Sequence, residues 1–377
     1  MNEIGEPFGF EVDFLPVGKS TKNGDAICLR WGYSLLDKSK RRQFVMVVDG
    51  GFSECGESVV RHIEQYYDTK QIDVLVNTHP HRDHVNGLCA VIENCAVRYL
   101  VMHQPWNHKG LKDAFKDGRV TSNSIRQSLK DGLEKAYSVA NVAAEKGAKL
   151  LECFSPSKWE NLCGVDVYVL NPSMEYYDSL LPSFNATPTD GDDDGAKRVE
   201  FSKTLYPAAQ YPLTDDGETS AENNSGIVLA FKLPDNIGGI AMLTGDAGMP
   251  ALDNSVAEAE RQGLNLKNGI KFFQIPHHGS IQNLGPTVLN KIFGTPLDAV
   301  KSTKTAYVSV SAGHDDQHPA KHVINALEDR GVECYMTNGI TIHNSFGHVP
   351  SRPGWINLKE KKLKIERFHQ VEAIYVP

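Results

Sequence analysis

The chain has 377 residues, 40% of them hydrophobic and 23% charged, which suits an ordinary globular protein of one large domain or two smaller ones. A formal net charge of −8 argues against a uniformly basic surface, and so against tight, sequence-independent DNA binding. Residues 1–7 are acidic, without the apolar core of a secretory signal, and no run of about 18 apolar residues occurs, so a cytoplasmic protein with no membrane contact is expected. Seven scattered cysteines without CxxC spacing then read as reduced thiols, most of them core.

In chain order, residues 8–15, 24–31 and 43–51 predict strands, the last ending in Asp49 before two glycines. Residues 58–67 predict a helix, and the apolar run 72–78 a buried strand. That strand leads straight into His79-Pro80-His81-Arg82-Asp83-His84, three imidazoles and a carboxylate in one short turn. Such groups at the end of a buried strand are costly to desolvate unless they bind something. Neutral imidazole and carboxylate together suit zinc, manganese or iron.

Residues 97–102 predict the next strand, and the Ala-, Leu-, Lys- and Glu-rich stretch 122–149 one or two amphipathic helices. Strand character returns at 165–172. The polar stretch 182–223 holds the acidic run 190–195, which lacks the glutamate an EF-hand loop needs and reads as a surface loop. Residues 227–232 and 239–246 predict a strand pair across a Pro/Asp/Asn/Gly turn. Strands at 272–276 and 305–311 follow, then a helix at 320–330 closed by Gly331. Strands alternating with helices predict an α/β architecture.

Asp49, Asp246 and the run His277-His278-Gly279-Ser280 also fall at predicted strand ends. Each alone reads as a turn-capping acid or a surface histidine. Together with the histidine-rich turn they gather ligand-type side chains where α/β sites sit.

The spacing His79-x-His81-x-Asp83-His84 resembles the metal motif of the metallo-β-lactamase-fold superfamily, and Gly245-Asp246 and His278-Gly279 are similar to its later elements. Asn223-Asn224-Ser225, Leu243-Thr244-Gly245-Asp246-Ala247, Pro276-His277-His278-Gly279-Ser280 and His318-Pro319 resemble one branch, the metallo-hydrolase domain of bacterial DNA-uptake (competence) channel proteins. The resemblance covers residues 8–103 and 220–345. It implies a four-layer αββα sandwich, a single domain over 1–377, with a helical and acidic insertion at 104–222.

It also implies two divalent ions, zinc or manganese. His79 and His81 would hold the first, Asp83 and His84 the second, and Asp246 would bridge them. His278 would complete the second site, preferred to His277 because the superfamily's ligand histidine precedes a glycine. Asp49 would orient the motif from behind. Asp83 would also accept or orient a proton of the attacking water, and His318 would act at a substrate phosphate or leaving group. Asn224, His277, Ser280 and His103 are the substrate-contact candidates, with Trp106 and His108 beside His103. In many members a further histidine reaches the first metal. Here no histidine lies between His108 and His277, so an amide, a carboxylate or water is expected near Asn224, and manganese as readily as zinc.

The activity implied is metal-dependent hydrolysis, since bound cations lower the pKa of water from about 15.7 towards 7. The resemblance favours a phosphodiester, and the acidic charge a small or single-stranded one. Hydrolysis of a lactone, thioester or amide, and a non-catalytic regulatory role, are the alternatives. The insertion is expected to cover the cleft or to serve a protein partner or a homo-oligomer.

Overall fold

Along Phe8–Phe14 the residues Phe8, Phe10, Val12 and Phe14 share one face of a strand, and Glu11 and Asp13 the other. All of them are buried, so both faces of this strand are covered. The computed structural model, which describes residues 6–18, 22–108, 127–184, 213–296, 304–313, 318–353 and 355, shows what covers them.

Among the described residues there are two seven-stranded sheets. The first contains β1 (Phe8–Phe14), β2 (Ile27–Tyr33), β3 (Arg42–Val48), β4 (Gln71–Val76), β5 (Ala96–Val101), β6 (Lys149–Leu151) and β14 (Ile342–Gly347). Their order is β14-β1-β2-β3-β4-β5-β6. The second contains β7 (Ser157–Leu162), β8 (Val165–Asn171), β9 (Val228–Lys232), β10 (Ile240–Leu243), β11 (Ile270–Gln274), β12 (Lys304–Val308) and β13 (Val332–Met336). These run in the order β13-β12-β11-β10-β9-β8-β7. In each sheet one half is antiparallel and the other parallel, with β3 to β6 and β10 to β13 forming the parallel runs.

The inner faces meet in an aromatic core. Phe10 lies 6.0 Å from Phe231, Phe14 5.9 Å from Phe272, and Trp31 5.9 Å from Phe231, each pair edge to face across the two sheets. On the outer face of the first sheet lie the helices Ser53–His62, Leu88–Asn94 and Gln127–Glu145. Met249–Arg261, Pro286–Phe293 and Lys321–Glu328 cover the second. The layers are therefore helix, sheet, sheet, helix, the αββα sandwich that the motif resemblance implies.

The described parts of the stretch 104–222, which composition sets apart, are woven into this frame. β6 extends the first sheet and β7 and β8 the second, while Ala136, Val139, Ala140 and Ala143 pack into the outer core of the first sheet. A three-residue edge strand leaves too little periodicity to be read in advance. The acidic run 190–195 and the basic residues near 359–364 lie outside the described residues. Among the described residues no helix is long and apolar enough to cross a membrane.

The outward face of β1 is a buried ion cluster. Asp13 accepts from two guanidinium nitrogens of Arg352, both at 2.7 Å, and from the Tyr67 hydroxyl at 2.6 Å. It also pairs with the rings of His62 at 2.9 Å and His343 at 2.8 Å. A π-helical turn, Ile63–Tyr67, carries Tyr67 to this place. Arg30 donates to Glu11 at 2.6 Å, and the Arg352 guanidinium packs against the rings of Tyr66 (4.8 Å) and Trp355 (4.6 Å). Burial opposes a charged Asp13, but His62 and His343 outweigh it and hold the carboxyl well below its usual range.

Candidate metal centre

The parallel strands β3, β4, β10, β11 and β12 all end at one rim of the sandwich, and the ligand-type residues follow directly from those ends. After β4 comes His79, then His81 in extended backbone, and the one-turn helix Arg82–Val85 then turns Asp83 and His84 inward. Asp246 follows β10. His277 and His278 follow β11 in a turn with three successive left-handed residues, His277 (φ 46), His278 (φ 55) and Gly279 (φ 82). At Gly279 a Cβ would come within 2.6 Å of the Pro319 side chain, so only glycine fits. Pro319 and Ala320 pack there, and Ala320 N–H donates to the Gly279 carbonyl at 3.0 Å, which sets the His318-Pro319 turn beside the two histidines.

Asp49, at the end of β3, ties the motif together. One carboxylate oxygen accepts from Thr78 N–H at 2.8 Å; the other accepts from the Thr78 hydroxyl at 2.6 Å and from His84 Nδ1 at 2.8 Å. The Thr78 proton is thereby committed, and its oxygen accepts from His79 Nδ1 at 3.0 Å. His278 Nδ1 donates to the Ser309 carbonyl at 2.9 Å. His277 Nδ1 donates to Asn283 Oδ1 at 2.9 Å, and the Asn283 amide donates in turn to the Asp246 carbonyl at 2.8 Å. At His79, His84 and His278 the partner of Nδ1 is an acceptor, and at His277 the Asn283 Oδ1 acceptor at 2.9 Å is closer than the Asn223 amide nitrogen at 3.4 Å and decides the tautomer. The neutral imidazole therefore carries its proton there and its lone pair on Nε2.

Those Nε2 atoms converge. The distance to Asp246 Oδ2 is 3.3 Å from His84, 3.6 Å from His79 and 3.7 Å from His277. Asp83 Oδ2 lies 3.5 Å from both His84 Nε2 and His278 Nε2. Two ligand groups result, Asp83–His84–Asp246–His278 and His79–His81–Asp246, with the donor atoms of each all within 4.8 Å of one another. Nε2 of His79, His84 and His278 and Oδ1 of Asp246 are buried with no hydrogen-bond partner. Four such atoms spread over these two groups are expensive unless cations take their lone pairs, so the donor set fits divalent ions of the zinc and manganese kind.

Burial opposes charge here too. At His84 the carboxylates of Asp246, Asp83 and Asp49 outweigh it and hold the ring well above its usual pKa. At Asp246, His84 and His277 outweigh it and hold the carboxyl well below. His79, which burial and the nearby His84 push down, is held neutral, the form that binds a metal.

The substrate candidates are distributed differently. His103 lines a small recess with Asn77, Thr78, His79, Pro105, Tyr177 and Ser225. Its Nε2 donates to the Cys153 carbonyl at 3.1 Å, and its ring lies 4.6 Å from both Phe154 and Tyr177. Trp106 packs edge-on to Tyr137 at 5.2 Å, and His108 is held by Asp178 at 2.6 Å and Glu152 at 3.1 Å. Asn223, rather than Asn224, reaches the site, its amide 3.4 Å from His277 Nδ1, because the short helix Ala221–Asn224 turns Asn224 towards Gly248. Ser280 Oγ accepts from Gln282 N–H at 3.2 Å and so closes its own turn.

Sequence reasoning passed over several supporting groups. Asp25 N–H donates to the Asp83 carbonyl at 3.2 Å, and its carboxylate accepts from Gln274 Nε2 at 2.8 Å. A Cβ on Gly24 would lie 2.5 Å from that same Asp83 oxygen. The turn Asn23-Gly24-Asp25 was the available signal. Thr78, Asn283 and Ser309 carry none, since their roles depend only on what the fold sets beside them.

His103 has a measurable consequence for stability. Burial pushes its pKa down to about 4, whereas the unfolded ring titrates near 6.5. As pH falls from about 6.5 to 4 the unfolded chain takes up the proton first, so the folded state loses stability through that window. Between pH 7 and pH 4.5 the loss is on the order of 2–3 kcal/mol. In His103→Phe, which retains the ring stacking, urea unfolding of chelated protein at these two pH values is expected to show a correspondingly smaller difference than the wild type.

No protein-family model matches the sequence, and no curated protein does. Solved structures do align. Zn(2+)-bound PqqB from Methylobacterium extorquens is 11% identical over 88% of this chain and 99% of its own, with a TM-score of 0.40. A diphosphatase of the PhnP family is 10% identical over 88% and 97%, with a TM-score of 0.37. Metallo-β-lactamase SMB-1 is 12% identical over 75% and 86%, with a TM-score of 0.33. Likenesses this distant assign neither family nor activity. The chain's own layers and strand order have the form of the four-layer αββα sandwich of the metallo-β-lactamase type.

Proposed function

We propose that this chain is a metal-dependent hydrolase of phosphodiesters, acting on a small or single-stranded substrate. The observation that carries the reading is the convergence of orphaned Nε2 lone pairs on the Asp246 carboxylate. His79, His81 and Asp246 would hold one divalent ion, and Asp83, His84, His278 and Asp246 a second. When bound, such ions supply hydroxide near neutral pH and polarise the ester.

The chain's own groups then divide the remaining work. Asp49 fixes the tautomers of His84 and, through Thr78, of His79. The Asp83 side chain keeps 11% of its surface exposed beside a fully buried His84, so Asp83 is the carboxylate that can take or orient a proton from incoming water. His318, which precedes the Pro319 packed on Gly279, is the residue we assign to the leaving oxygen. The resemblance of Asn223-Asn224-Ser225, Leu243 to Ala247, Pro276 to Ser280 and His318-Pro319 to the DNA-uptake branch favours a phosphodiester over a lactone, thioester or amide. The net charge of −8 favours a substrate that needs no long basic track.

The test is a panel of bis-nitrophenyl phosphate, single-stranded DNA, cyclic dinucleotides and lactones, with Zn(II)- or Mn(II)-loaded protein and with chelated protein. Phosphodiester cleavage that chelation removes is expected. Turnover confined to lactones would overturn the substrate class, and turnover indifferent to chelation would overturn the metal mechanism.

A further inference from the structure

We infer that His277 is a ligand of the first divalent ion, taking the place of the histidine that is missing between His108 and His277; this rests on the metal centre proposed above. Three observations lead there. First, His277 and His278 both occupy left-handed backbone (φ 46 and φ 55), at a cost of roughly 1–2 kcal/mol each for residues with a Cβ. The turn sends the two rings to different carboxylates of the centre. His278 Nε2 lies 3.5 Å from Asp83 Oδ2, and His277 Nε2 lies 3.7 Å from Asp246 Oδ2. The second distance nearly equals that of His79 Nε2, at 3.6 Å from the same oxygen.

Second, the His277 ring is anchored at Nδ1 as the other three rings are. Its Nδ1 is anchored to an acceptor whose own orientation is fixed, because the Asn283 amide is committed to the Asp246 carbonyl. Thr78 does this for His79, Asp49 for His84 and the Ser309 carbonyl for His278. Anchoring of this kind fixes tautomer and direction, which a metal ligand requires.

Third, the segment that would have supplied the missing histidine packs against His277 instead. The Asn223 amide lies 3.4 Å from His277 Nδ1. The chain has thus moved the imidazole from that segment to the turn after β11 and left an amide behind it. His277 is not within 4.8 Å of every donor in the group His79–His81–Asp246, so binding is expected to draw the ring inward.

Metal occupancy tests the assignment without recourse to turnover. Co(II) titration of wild type, His277→Gln and Asn283→Ala would be followed by visible absorption and elemental analysis, with circular dichroism of the chelated proteins to confirm folding. Wild type is expected to bind two ions per chain. In His277→Gln one ion should bind as in the wild type and the other at least about 100-fold more weakly, while Asn283→Ala should weaken that same ion by about 10–100-fold. Proton NMR of the wild-type Co(II) protein should also show exchangeable, hyperfine-shifted Nδ1–H signals, one of which disappears in His277→Gln. Two ions bound with unchanged affinity and spectrum in His277→Gln would overturn the assignment. A wild type that binds no ion would instead remove the metal reading on which it rests.

Discussion

Replacement of Asp246 by alanine is expected to abolish hydrolysis, with a loss of roughly 10³-fold or more, comparable to removing a principal electrostatic contact in a transition state. The reason lies in its position between two ligand groups. Its Oδ2 is within 3.3–3.7 Å of His84, His79 and His277, and it belongs both to the group with Asp83 and His278 and to the group with His79 and His81. No other residue is shared by those two groups, so its loss weakens both ions together. An asparagine at this position would preserve shape but not charge, and Asp246→Asn is therefore expected to be nearly as inactive as Asp246→Ala. Steady-state assays on a phosphodiester, run at saturating metal, distinguish this from simple loss of affinity. Full recovery at high metal would mean that Asp246 only recruits the ions.

The second large effect is on stability, at the opposite face of the first sheet. Asp13→Ala is expected to cost about 3–5 kcal/mol, the scale for removing one partner from a buried ion pair. Arg352 would lose a two-pronged contact, and His62, His343 and Tyr67 would lose their shared acceptor. Glu11 remains 3.1 Å from Arg352, so the guanidinium is not left wholly uncompensated. This places the expectation within that range rather than beyond it. Denaturant unfolding of chelated wild type and Asp13→Ala measures the difference. A change below about 1 kcal/mol would show that the cluster is as weakly coupled as a surface pair. Metal binding should be unchanged, because Asp13 lies on the outer face of β1 and the ligands lie at the rim of the sandwich.

The two regions differ in how far the sequence discloses them. The metal centre is legible because its residues are chemically unusual for their positions. Three imidazoles and a carboxylate directly after an apolar strand, with acids ending two other strands, suggest a shared ligand even before any fold is known. The alternating elements likewise announce strands and helices. The ion cluster is hidden by the opposite circumstance. Phe8-Gly9-Phe10-Glu11-Val12-Asp13-Phe14 reads as a strand, but nothing in it tells that a π-helical turn and a segment more than three hundred residues away cover its Glu11 and Asp13 face. Asp25 and Asn283 are ordinary polar residues whose importance comes from what the fold sets next to them, Asp83 and His277. His103, Trp106 and His108 share a short stretch, but their surroundings separate them into a recess wall, a packed ring and a carboxylate-held imidazole. The edge strands β6 and β7 were obscured because an edge strand needs little of the alternation that a central strand displays.

The proposed function requires two divalent ions at the rim of the sandwich, both held through Asp246. Its most direct test is the metal content of purified protein equilibrated with excess Zn(II) or Mn(II) and then freed of unbound ion, measured by elemental analysis alongside Asp246→Ala. Two ions per chain in the wild type, and fewer than one in the variant, are the expected result. Equal metal content in the two proteins, or a wild type that retains less than one ion per chain, would contradict it.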